Sequence, residues 1–250
     1  MTRMGCNPNL HIYNSLMNLY CKKEIVDKAI QVFKNLPQKG LKPNEASYCN
    51  ILHGLFSVGR VDDAMKLIND MAVRSECVNL ITFNVLLDGF VKNHCVSHAL
   101  DLLNMMEVNG LMPDIRCYNI VLNGLLGDGK YVSALDLFNA LPSKGLKPNE
   151  VTYTTMISGL CNHDRLEDAK NLFRLMVENG CVPSSVAYNI LIRVFVKWNV
   201  HCEAVFLLRD MLTHGLAPDT TTCEVILRSI LRDGLDSKLL DMIQSIKERP

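Results

Sequence analysis

EVTYTTMISGLCNHDRLEDAKNLFRLMVENGCVPS, residues 150–184, is the stretch on which the fold turns. Apolar or aromatic residues fall at Val151, Tyr153, Met156, Ile157 and Leu160, then at Leu166, Ala169, Leu172, Phe173 and Met176. Within each half the spacing is three or four, which puts these side chains on one face of a helix. The polar segment Asn162-His163-Asp164-Arg165 separates the halves, and Gly180 and Pro183 follow the second as stop signals. The stretch reads as helix, short turn, helix, stop.

The pattern recurs with a period of 35 residues. Its aromatic is Tyr13, Tyr48, Phe83, Tyr118, Tyr153 and Tyr188 in turn, and its alanine is Ala29, Ala64, Ala99, Ala134, Ala169 and Ala204. The stop glycine is Gly40, Gly110, Gly145, Gly180 and Gly215, broken only by Ser75; the proline is Pro43, Pro113, Pro148, Pro183 and Pro218, broken only by Val78. Six contiguous units follow: 10–44, 45–79, 80–114, 115–149, 150–184 and 185–219. Residues 1–9 match the tail of a further unit through Gly5 and Pro8. Residues 220–250 form a degenerate last one, with Cys223 in place of the aromatic and Leu239 in place of the alanine. Such a hairpin cannot bury its apolar side alone, so neighbours stack and offer the same positions repeatedly along a concave face. The expectation is an all-α, right-handed superhelical solenoid of two-helix repeats. Its alanines allow close helix approach and its aromatics fill the space between helices.

The 26 Lys and Arg balance the 26 Asp and Glu. Zero net charge argues against holding a polyanion by bulk charge, but leaves room for a local basic stripe. The ten cysteines form no C-x-x-C pair and several occupy apolar repeat positions. They read as free core thiols in a reducing compartment. No run approaches the ~20 apolar residues of a membrane helix, so no membrane partner is expected. Repeat pattern begins within the first ten residues, and no transit peptide is visible.

Few constellations suggest chemistry. His94 and His98, with Cys95 between them, straddle the turn of one unit and have no counterpart in the others, so they read as solvated turn histidines; His201-Cys202 reads likewise. The chain has no zinc-deaminase signature, phosphate-binding glycine loop, nucleophile elbow or H-E-x-x-H. Asp62-Asp63 and Glu167-Asp168 suit the first turn of a helix. No catalytic residue, metal or cofactor is expected, and the chain does not read as an enzyme.

A 35-residue two-helix unit with this aromatic, alanine, glycine and proline closely resembles the pentatricopeptide repeat family in its P-type form, as in plant restorer-of-fertility-like arrays. The tetratricopeptide repeat differs in period and in signature. The resemblance implies binding of single-stranded RNA, one base per repeat. It implies base reading by the residue after the aromatic together with the last residue of the unit. The pairs are Asn14 with Asn44, Cys49 with Asn79, Asn84 with Asp114, Asn119 with Asn149, Thr154 with Ser184, and Asn189 with Asp219. An Asn amide offers a base edge both a donor and an acceptor. A short polar residue after the proline also suits a helix N-cap, whereas Asn after the aromatic is a poor helix former.

The resemblance further implies that base faces are flanked by His11, Ala46, Ile81, Arg116, Val151 and Val186, and that Lys22, Lys92 and Lys197 meet phosphate. Ser57, Gly127 and Asn162 depart from the lysine pattern. Carried over pair by pair, the preferred site is pyrimidine, undetermined, U, pyrimidine, A, U. The implied role is sequence-selective, non-catalytic RNA binding in stabilisation, processing or expression of organellar transcripts. The mitochondrion is the expected compartment and the chloroplast the alternative, with protein partners supplying any enzymatic step. The competing expectation is a protein-binding helical scaffold without RNA readout.

Overall fold

A computed structural model of the chain describes residues 8–73, 80–108 and 110–233. Among these the regular structure is thirteen α-helices and no strand. Six hairpins run α1 (Leu10–Lys22) with α2 (Val26–Asn35), α3 (Glu45–Ser57) with α4 (Val61–Val73), α5 (Leu80–Lys92) with α6 (Val96–Val108), α7 (Ile115–Gly127) with α8 (Tyr131–Ala140), α9 (Glu150–Asn162) with α10 (Leu166–Glu178), and α11 (Ser185–Lys197) with α12 (His201–Thr213). α13 (Thr220–Asp233) opens the degenerate last unit. Gly5, Ser75, Val78, Asn79 and Leu239 lie outside the described residues.

The helix breaks come from a few backbone positions. Each inter-helix turn has one left-handed residue: Glu24, His94, Asp164 and Asn199 at φ between 56° and 59°, and Gly59 and Gly129 at 74°. Asp, Asn and His tolerate this region better than other side chains, which accounts for His94 in its turn. His98 is on α6, its ring stacked on Phe90 at 5.5 Å. The stop glycines take φ of 70–79°, the left-handed C-terminal conformation open to glycine. In two units the second helix ends short of that glycine: α2 and α8 stop at Asn35 and Ala140, and 3-10 turns at Pro37–Lys39 and Pro142–Lys144 complete the segment. Pro37 and Pro142 cannot donate to the preceding turn, so an α-helix running to the glycine gives way to a tighter one.

The chain divides into two compact units, residues 1–124 and 125–250. In the first, α1 packs on α3 and α3 on α5; in the second, α9 packs on α11 and α11 on α13. All six repeat alanines are fully buried, and the repeat aromatics from Tyr48 to Tyr188 are at most 4 % exposed. An aromatic of the preceding second helix meets three of them edge-on: Phe33–Tyr48 at 5.0 Å, Phe138–Tyr153 at 5.5 Å and Phe173–Tyr188 at 5.2 Å. Such edge contacts add to the area buried. The hydroxyls are partnered too: Asn179 Nδ2 donates to Tyr153 Oη at 2.9 Å, and Tyr188 Oη donates to Asp210 at 2.6 Å.

A second small residue controls spacing. Gly54, Gly89, Gly124 and Gly159 recur six residues after the aromatic, inside the first helices. A Cβ on Gly89 would stand 2.2–2.6 Å from the Phe56 ring, and one on Gly159 2.5–2.7 Å from Leu126. Gly89→Ala is therefore expected to destabilise by about 1–3 kcal/mol through overpacking, although Ala is the better helix former by ~1 kcal/mol. Gly127→Ala, with nothing within 4 Å, should be neutral or mildly stabilising. Urea denaturation of the two variants side by side checks both expectations.

Candidate nucleic-acid interface

The first turn of each first helix sorts its residues by depth. The residue two before the aromatic is exposed at His11, Ala46, Ile81, Arg116, Val151 and Val186. The residue between it and the aromatic is fully buried wherever described from the second unit on: Ser47, Thr82, Cys117, Thr152, Ala187 and Thr222. The residue after the aromatic is half-buried at Asn14, Cys49, Asn84, Asn119 and Thr154, and buried at Asn189. Positions three apart share a helix face, so each expected base-flanking side chain stands beside its expected reader. Ile81, Val151 and Val186 are 62 %, 53 % and 54 % exposed.

Wherever it is described, the last residue of a unit sits at the N-cap of the next first helix. Asn44 and Asn149 accept from the N–H of Ser47 and Thr152, and those hydroxyls return the bond in capping boxes. Asp114 accepts from Cys117 N–H at 3.0 Å and Asp219 from Thr222 N–H at 2.7 Å. These residues thus have a structural role of their own, apart from the expected reading role. Desolvation opposes the charge on Asp219, but bonds from Thr222 and the Arg193 guanidinium outweigh it and hold the carboxyl below its ordinary value.

Two of the expected reader pairs, Asn14 with Asn44 and Asn189 with Asp219, meet directly across the seam between hairpins. Asn14 Nδ2 donates to Asn44 Oδ1 at 3.1 Å, and Ser47 Oγ donates to Asn14 Oδ1 at 2.7 Å. Asp219 N–H donates to Asn189 Oδ1 at 3.2 Å. Cys117 Sγ donates to Asn84 Oδ1 at 3.2 Å, and Cys49 Sγ lies 3.9 Å from Thr82 Oγ1. Asn79, the partner expected for Cys49, lies outside the described residues. Asn119 and Asn149 belong to different compact units; Asn119 Oδ1 is buried without a hydrogen-bond partner.

Thr154 and Ser184 differ from the other pairs. Both hydroxyls donate to Glu150 Oε1, at 3.1 Å and 2.5 Å, and Ser184 makes no side-chain cap bond.

The buried small residue before the aromatic did not enter the expected site, yet it touches reader after reader. Its signal was present as a column of Ser, Thr and Cys at the repeat period. Glu150 gave no such signal, because nothing in the repeat pattern marks it.

Lys22, Lys92 and Lys197 end α1, α5 and α11 and are exposed. Cations there also complement the helix dipole. Lys92 Nζ pairs with Asp88 at 2.6 Å. Eight described cysteines are free thiols. Burial pushes the Cys117 and Cys161 thiols up to about 11 and about 12, so they are protonated and inert at neutral pH. No described helix is long and apolar enough to cross a membrane. Among the described residues no three His, Cys, Asp or Glu side chains gather as a metal site.

Comparison with known proteins agrees with this geometry. The maize pentatricopeptide repeat protein PPR10 superposes with a TM-score of 0.70 at 24 % identity, over 98 % of this chain and 40 % of PPR10. PPR10 in complex with an 18-nucleotide psaJ RNA element gives 0.60 at 24 % identity, over 99 % of this chain and 41 % of that one. The PPR domain of Arabidopsis thaliana protein-only RNase P 1, in complex with tRNA, gives 0.59 at 18 % identity over 71 % of this chain and 94 % of the domain. A mitochondrial pentatricopeptide repeat-containing protein of Arabidopsis thaliana is 40 % identical over 42 residues, which is 17 % of this chain and 8 % of that protein. The chain therefore spans well under half the length of PPR10 and of the Arabidopsis relative. The PPR repeat family profile matches residues 8–57, 47–92, 78–127, 113–162 and 151–197, and the PPR repeat profile matches residues 186–216. With matches along most of its length, on helical hairpins of the expected period, the chain belongs to the PPR repeat family.

Proposed function

We propose that this chain binds single-stranded RNA sequence-selectively, one base per repeat, without catalysing a reaction on it. The observation that carries the reading is the row of exposed side chains beside the readers. Ile81, Val151 and Val186 are more than half exposed while the aromatic two residues on is buried. Branched apolar side chains so placed do nothing for the core, but they can grip the faces of unstacked bases. His11 and Arg116 can stack on a base at the same position. Between successive grips the reader pair meets the base edge, with Asn189 and Asp219 reading U and Asn14 and Asn44 a pyrimidine. The RNA complexes of PPR10 and of the RNase P repeat domain support this reading. The named mitochondrial relative favours an organellar transcript, in the mitochondrion first and the chloroplast second. Occupying a transcript would stabilise it or direct its processing by protein partners.

The test is fluorescence anisotropy with a short unstructured RNA carrying pyrimidine, any base, U, pyrimidine, A, U, against one with the five specified bases replaced by their complements. At about 1–3 kcal/mol per mismatch, the first RNA should bind at least tenfold tighter. Equal affinity, together with capture of peptides, would favour the protein-binding scaffold instead. The same assay yields the salt dependence. If Lys22, Lys92 and Lys197 each neutralise one phosphate, the slope of log K against log salt is about −2. Replacing Lys197 by Ala should make it shallower by about 0.7. A much steeper slope would locate the binding charge elsewhere.

A further inference from the structure

The geometry points to Glu150 as a third specificity-determining residue of the fifth unit, one that makes its pocket select a base bearing an exocyclic amino group and reject uracil. The inference rests on the base-reading proposal above and deepens it.

It begins with a missing hydroxyl. The buried residue before the aromatic is Ser47, Thr82, Cys117, Thr152 and Thr222 in other units, but Ala187 in the unit that follows Thr154. Asn44 and Asn149 exchange bonds with the hydroxyls of Ser47 and Thr152, and Asn14 accepts from Ser47. Ala187 can do neither. The hydroxyls of Thr154 and Ser184 turn instead to one carboxylate oxygen, Glu150 Oε1, at 3.1 Å and 2.5 Å. Glu150 is four residues before Thr154 and so shares its face of α9.

The consequence follows from counting protons. A Ser or Thr hydroxyl carries one proton and two lone pairs, and an ionised carboxylate only accepts. With both protons aimed at Glu150, the hydroxyls show a bound base nothing but lone pairs. The fifth pocket is therefore acceptor-only. Adenine and cytosine meet it with an amino group, and guanine with an amino group beside a ring N–H. Uracil brings two carbonyl oxygens flanking its one N–H, and those oxygens would face lone pairs. A free Thr–Ser pair could rotate its protons outward and accept either kind of edge.

The test is the affinity of the full chain for four RNAs that differ only at the fifth base. For the native protein, A at that base should bind roughly tenfold tighter than U. In Glu150→Ala the hydroxyl protons are released, and the ratio of A to U should fall below about threefold. Removing a negative charge beside RNA will raise affinity for all four, which leaves the ratio interpretable. Ala187→Thr restores a hydroxyl at a position where Thr82, Thr152 and Thr222 already fit. It leaves Glu150 in place and should lower the ratio in the same direction. A ratio unchanged in both variants would overturn the inference. So would a native protein that discriminates at the other specified bases but not against U at the fifth. A native protein indifferent to every base would overturn the reading of the whole array, a result distinguishable from failure at one pocket.

Discussion

Changing Thr154→Asn, Ser184→Asp and Glu150→Ala together is expected to move the preference at the fifth base from A to U and leave the other bases alone. The first two changes install the pair that Asn189 and Asp219 form in the sixth unit, where Asp219 N–H binds Asn189 Oδ1 and the carboxylate caps α13. The third is needed because Ser184 Oγ is 2.5 Å from Glu150 Oε1. A carboxylate at 184 would meet that oxygen head-on. Two like charges ~4 Å apart near a protein surface repel by roughly 4 kcal/mol at an effective dielectric constant of 20, enough to turn the new side chain away from the base. The double variant that keeps Glu150 should therefore bind RNA poorly whichever base is offered, and the triple variant should prefer U by about tenfold. Selection from random RNA reads this directly. Recovery of the native site by the triple variant would rule out base reading at 154 and 184.

The second large effect is on stability. Ala169→Phe should destabilise the fold by about 3 kcal/mol, at the upper end of the usual cost of overpacking. Ala169 is fully buried in α10, which packs on α9, beside Leu172, Phe173 and Met176. A benzyl group cannot enter without displacing one of them or parting the hairpins. Ala134→Phe repeats the insult in α8 and should behave alike, since Ala134 is equally buried. Urea denaturation followed by circular dichroism gives the change; a loss below ~0.5 kcal/mol would mean that the helices do not close on this alanine.

Much of this architecture was legible because the repeat displays each constraint several times. The aromatic and the alanine are large and small for reasons of packing, and the structure buries both in successive hairpins. The early ends of α2 and α8 were missed although Pro37 and Pro142 signal them, because the stop glycine suggests a helix that runs up to it. The positions expected to flank bases are exposed, but exposure alone does not assign them that role. The hydrogen bonds at the readers were not legible. Whether a hydroxyl caps a helix, supports a neighbour's amide or turns to a carboxylate depends on distances of a few tenths of an ångström across a seam. A single substitution such as Ala187 redirects it without altering the period. Glu150 had no column of its own to announce it.

The seam bears on how such arrays can be cut and rejoined. Asn14 comes from one hairpin, while Asn44 and Ser47, which hold it, enter the next helix. On the proposed reading a pocket is therefore shared property, finished by the first turn of the following module. Gene duplication or laboratory shuffling that breaks the chain at the proline would separate each reader from the residues that orient it. A junction placed in the turn between the two helices of a hairpin, as at Glu24 or Asn199, parts them as well, since Asn14 precedes Glu24 while Asn44 and Ser47 follow it, and Asn189 precedes Asn199 while Asp219 follows it. The transferable cassette is longer than one repeat: it runs from the start of one first helix through the first turn of the next, as from Leu10 in α1 to Ser47 in α3.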